Sequence, residues 1–159
     1  MKQRRPLIVS FHNKGNGWIV LKFTFPQKAI AIHLSSVFDP IPDLFKWIEK
    51  IGFSDLPAEI TIDEEGHGKI LVAQALSKDA TDSFLLKIFN RPENDQLLIK
   101  SELSKFDFIM AFLNSFQSML NKEELIWSGD YNPNVLPMKA IKKLFFGNDC
   151  ITTIVEQTA

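Results

Sequence analysis

Two periods of hydrophobic alternation run along the chain and divide it into strands and helices. Residues 7–11 form an apolar run that ends at Asn13, Lys14, Gly15, Asn16 and Gly17, several of which accept positive φ, so a strand followed by a turn is predicted. Over 18–25, Ile19, Leu21, Phe23 and Phe25 share one face and Lys22 and Thr24 the other, the parity of a half-buried strand. Pro26 and Gln27 interrupt it. Alternation resumes over 29–34 with Ile30, Ile32 and Leu34 on one side, and the three segments read as a hairpin or meander. The period then lengthens: Leu44, Trp47, Ile48 and Ile51 keep the i, i+3, i+4, i+7 spacing of an amphipathic helix. That helix is expected to start near Pro42, after the turn-favouring Asp39-Pro40 pair, with Asp43 in its first turn and Gly52 as its C-terminal cap.

The strand period returns over 58–63 and 69–76, which flank Glu64, Glu65, Gly66, His67 and Gly68 as a hairpin with a short acidic loop. A second pair, 84–89 and 96–103, flanks Arg91, Pro92, Glu93, Asn94 and Asp95. These connections are too short for crossover helices, so the pairing is expected to be antiparallel. Ser104 and Asp107 resemble a capping arrangement, and Phe106, Ile109, Leu113, Phe116 and Leu120 trace the stripe of a second helix that should lie across the sheet. Beyond it, 121–137 reads as loop with a short strand at 125–127. Met138, Ile141, Leu144 and Phe145 mark a last helix closed by Gly147, and the tail past Cys150 is β-prone. The predicted architecture is a single α+β domain over 1–159, an antiparallel sheet with helices packed mainly on one face.

Composition narrows the chemistry. Eighteen basic and 19 acidic side chains leave a formal net charge of −1, which gives no drive toward a polyanion, and nucleic acid is not expected as a partner. One cysteine makes no internal disulfide and no thiolate-rich zinc site, so a reducing compartment fits. No apolar run approaches the roughly 18 residues of a membrane span, and a cytoplasmic chain without membrane attachment is expected. Fourteen Phe against one Tyr supply volume and almost no hydroxyls for chemistry.

Candidate chemistry is sparse. His12 ends a strand, His33 sits on a polar-parity face and His67 lies between two glycines in a turn, each read as a surface or edge histidine. Gly15 and Gly17 lie between strands, unlike a phosphate-cradling loop, and neither nucleotide fingerprint is present, so no cofactor is implied. Lys139, Lys142 and Lys143, with Lys2, Arg4 and Arg5, read as a solvated helix face and a basic terminus. Trp47 belongs to the core period, whereas Trp18 is out of phase with Ile19 and Leu21. The acidic run Asp63-Glu64-Glu65 precedes Gly66 and His67, but its spacing matches no calcium loop, and strand parity sends Asp63 and Glu64 to opposite faces unless the turn rotates them. It reads as a solvated hairpin or an acidic contact surface, with no metal assigned.

The segment Leu34-Ser-Ser-Val-Phe-Asp-Pro-Ile-Pro-Asp-Leu-Phe-Lys-Trp-Ile-Glu49, with Leu56-Pro-Ala-Glu-Ile-Thr-Ile-Asp-Glu-Glu-Gly66, resembles a block found in small uncharacterised bacterial α+β proteins, some of which are immunity partners of secreted toxins. The resemblance implies a chain that neutralises a cognate protein by covering it. Asp39, Asp43, Glu59, Asp63, Glu64 and Glu65 are the acidic side chains expected to face such a partner, where opposite fields speed encounter. A non-enzymatic protein-binding module is therefore the leading expectation. Two alternatives stay open: a sensor or carrier holding a small apolar ligand between the sheet and the Phe-rich helix, and a hydrolase assembled from distant residues. Oligomeric state is open as well.

Overall fold

The computed structural model describes residues 6–91 and 96–122, arranged as two antiparallel sheets and two helices. The strand expected at 125–127, the last helix, the β-prone tail and Cys150 lie outside the described residues. The first sheet is a meander of β1 (Ile8–Gly15), β2 (Trp18–Thr24) and β3 (Ala29–Ser35) in that spatial order. α1 (Ile41–Gly52) leads into the second sheet, β4 (Ala58–Asp63), β5 (Gly68–Gln74), β6 (Ser83–Arg91) and β7 (Gln96–Ser104), again ordered as in the chain. α2 (Lys105–Lys122) closes the described chain.

Alternation sets which face each strand buries. Val9 and Phe11 of β1, Ile19, Leu21 and Phe23 of β2, and Ile30, Ile32 and Leu34 of β3 are buried, as are Ile60 and Ile62 of β4, Leu71 and Ala73 of β5, and Phe84, Leu86 and Ile88 of β6. They join one core with Leu44, Phe45, Trp47, Ile48 and Ile51 of α1 and Phe108, Phe112 and Phe116 of α2. The phenylalanines supply the volume that their number suggested. Phe108 meets Phe23, Trp47 and Phe84 with ring centroids 6.0, 5.9 and 5.2 Å away, and Phe45 meets Phe112 and Phe116 edge-on at 5.6 and 4.9 Å. Trp47 also satisfies its indole N–H on the Ala58 carbonyl at 3.0 Å. Trp18, out of phase with its neighbours, ends half-buried beside the first turn.

Several features differ from the sequence expectation or sharpen it. The single sheet is split in two between β3 and β4, where α1 intervenes in the chain. α1 does not end in a left-handed Gly52; Ser54 takes that conformation, with φ 59°. The first hairpin turns through Asn16 and Gly17, both at positive φ (54° and 82°), the pair of conformations that suits a two-residue hairpin loop. Ser104 caps α2, its hydroxyl accepting the Asp107 N–H at 3.2 Å. Lys105, the first residue of that helix, is buried against Ser54, and burial pushes its ammonium below the usual lysine range while Asp82 partly opposes the shift.

Candidate interaction surface

The seam between the sheets is closed by side chains from the β4–β5 turn. Glu64 donates its N–H to the His67 carbonyl at 2.7 Å, and Glu65 and Gly66 between them adopt φ 61° and 104°, which makes a tight two-residue turn. This turn leaves Asp63 exposed and swings Glu64 inward to 2% exposure. There the Glu64 carboxylate accepts the Lys69 ammonium at 2.6 Å through Oε1, and the His33 backbone N–H at 2.8 Å through Oε2, with His33 Nδ1 3.2 Å from the same oxygen. Lys69 is itself buried, so the pair neutralises two charges that would otherwise be costly inside the protein.

Next along β3, Ser35 organises the loop that leads to α1. Its hydroxyl donates to Glu65 Oε1 at 2.6 Å and accepts the Val37 N–H at 3.1 Å, and its carbonyl accepts the Asp39 N–H at 3.0 Å. The Ser36 N–H is bound by the Gly17 carbonyl at 2.8 Å. A loop anchored at so many backbone groups holds its side chains in place. Two of those side chains are apolar and exposed: Val37 at 74% and Phe38 at 52%. Asp39 follows at φ 31°, with Oδ1 buried and without a hydrogen-bond partner. Burial raises its carboxyl above the ordinary carboxylate range, a backbone hydrogen bond at Ile41 opposes the rise, and Asp43 adds to it.

The six acidic residues picked out in the sequence therefore divide. Glu65 is tied to the loop through Ser35, Asp63 stands beside it in the same turn, and Asp39 belongs to the loop itself. Asp43 sits in the first turn of α1, 3.7 Å from Lys46 on the surface. Glu59 is exposed on the outer face of β4, in phase with Asp63. Glu64 needs correction: it is enclosed and neutralised by Lys69, so it presents no charge to a partner and serves as the pin that holds the turn against β3. Sequence reasoning missed Val37, Phe38, Ser35 and Lys69. Lys69 did carry a signal, since it falls in phase with buried Leu71 and Ala73, and a lysine at a core-facing strand position needs a carboxylate nearby.

Among the described residues no group of three or more His, Cys, Asp and Glu gathers as a metal would require, and no helix is long and apolar enough to cross a membrane. No family model, curated protein or solved structure matches the chain.

Proposed function

We propose that the chain is a non-enzymatic protein-binding module of the immunity type, which neutralises a cognate protein by covering part of its surface. The observation that carries this reading is the fixed, exposed Val37–Phe38 pair held by Ser35 beside the carboxylates of Asp63 and Glu65. An apolar centre with a charged rim is the usual anatomy of a binding patch, in which one or two desolvated side chains supply most of the affinity. The acidic rim favours a partner whose matching surface is cationic around an apolar cleft.

The test is affinity capture from the native cell with the wild-type chain and with Val37→Ser/Phe38→Ser. One protein recovered in stoichiometric amount by the wild type, lost with the double variant and weakened by Asp63→Lys/Glu65→Lys, is the expected result. Equal recovery by all three chains overturns the reading.

A further inference from the structure

Among the described residues β7 is an edge strand, and the hydrogen-bond parity shows which of its backbone groups point away from β6. The Lys105 N–H donates to the Asp82 carbonyl at 2.9 Å, in register with Phe84↔Leu103 and Leu86↔Ser101. Those residues therefore bond toward β6, and the alternate residues Lys100 and Glu102 turn their N–H and C=O groups outward, as Ser104 does its N–H, its carbonyl belonging to the first turn of α2. Leu98 has no partner on β6, because the register shifts from Ile88↔Ile99 to Phe89↔Leu97, and its carbonyl is taken by Lys28 Nζ at 2.9 Å from across a groove.

That groove has a volume of about 700 Å³. β7 from Lys100 to Ser104 forms one wall, Leu7 and Pro26 belong to the opposite wall, and Phe25 and Phe108 contribute apolar surface. It sits at the Ala29 end of β3, whereas the Val37–Phe38 patch follows the Ser35 end, a separation of roughly 20 Å along a seven-residue strand. The edge of β1 is not equivalent. α2 lies along it, and the Ser115 hydroxyl reaches the Val9 carbonyl.

We infer that this groove is a second docking surface, independent of the first, that takes one extended segment of another protein as an added strand antiparallel to β7. A groove walled on both sides fits a single strand better than the edge of a whole sheet, which argues against a second copy pairing through its own β7. Charge sets the segment's pattern. Lys100 and Glu102 are exposed on the solvent side of β7, so an antiparallel segment reading basic, apolar, acidic places its base opposite Glu102 and its acid opposite Lys100. The apolar residue between them points down toward Phe25 and Phe108. Main-chain bonds supply the affinity and the alternate side chains the selectivity, as in other strand-addition complexes.

The probe is the peptide acetyl-Thr-Val-Lys-Val-Glu-Val-Thr-amide titrated into the full chain and followed by amide chemical shifts. The expected result is saturable shifts at Lys100, Glu102 and Ser104. Binding should weaken about tenfold or more when the peptide's Lys and Glu amides, which face β7, are N-methylated, and survive methylation of the central Val amide. Glu102→Pro removes an outward N–H that no β6 partner uses, so it should keep the wild-type melting transition and lose the peptide. Absence of saturable shifts, shifts at another site, indifference to N-methylation, or a concentration-dependent dimer through the β7 amides each overturns the inference. None of these outcomes bears on the Val37–Phe38 patch.

Discussion

The carboxylate of Glu64 accepts the backbone N–H of His33 at 2.8 Å, so a side chain from a turn takes the place that a neighbouring strand would fill at the edge of β3. The same carboxylate holds Lys69 at 2.6 Å, and both groups are buried. Removing one partner leaves the other as an uncompensated buried charge. Lys69→Met or Glu64→Leu is expected to cost about 3 kcal/mol in urea unfolding, and the double variant less than the sum of the two. Additive single effects would show that the pair does not act as a unit.

Ser35 holds the loop in place without touching a partner. Ser35→Ala removes the acceptor of the Val37 N–H and the donor to Glu65 while leaving Val37 and Phe38 themselves intact. A loss of about 1–2 kcal/mol in stability is expected, with faster hydrogen exchange at the Val37 amide and weaker capture of the partner. Ser35→Thr, which keeps the hydroxyl, should restore slow exchange. If exchange in Ser35→Ala stays at the wild-type rate, the loop is not fixed by this residue.

Phe108 and Phe38 differ in what surrounds them. Phe108 is 1% exposed among aromatic rings from β2, α1 and β6, and Phe108→Ala should cost about 3–5 kcal/mol by opening a cavity. Phe38→Ala should change stability by no more than about 0.5 kcal/mol, because its ring is already half in water. Calorimetry on the two variants checks this contrast, and a large loss from Phe38→Ala would remove it from the binding patch and place it in the core.

Asp39 gives a pH dependence whose sign follows from its burial. Its folded carboxyl binds a proton more tightly than the unfolded one, whose ordinary value is 3.8. The charged form is therefore a cost that is absent below about that pH and grows as pH rises through the elevated folded value. Asp39→Asn carries no such charge, and asparagine tolerates positive φ. Its melting temperature should match or approach the wild type's at low pH and exceed it by a margin that widens as pH rises above about 3.8 and levels off once the folded carboxyl has ionised. A margin that shrinks as pH rises would reverse the assignment.

Much of this fold was legible because each half-buried strand writes its parity into the sequence. Ile19, Leu21 and Phe23 announce β2, Leu44, Trp47, Ile48 and Ile51 announce α1, and short connections dictate antiparallel pairing. The split between β3 and β4 was not legible, since it depends on how two curved layers close over α1 and α2. The acidic surface was read in part: strand parity sends Asp63 and Glu64 to opposite faces, as they are, but it did not show that the core would enclose Glu64 and leave Glu65 exposed. Parity on the following strand could have done so, through Lys69. The exposed Val37 and Phe38 were hidden because two apolar residues in a loop look like any other contribution to a core until the loop is seen to turn outward.

Glu64 and Lys69 lie five residues apart in one hairpin, so this hairpin arrives at the seam with its charge already balanced. What Glu64 takes from β3 beyond the imidazole contact is one backbone amide, a group that every amino acid except proline supplies. Position 33 is thus free to drift in identity without unfastening the two layers, and only proline there would deprive the joint of its hold.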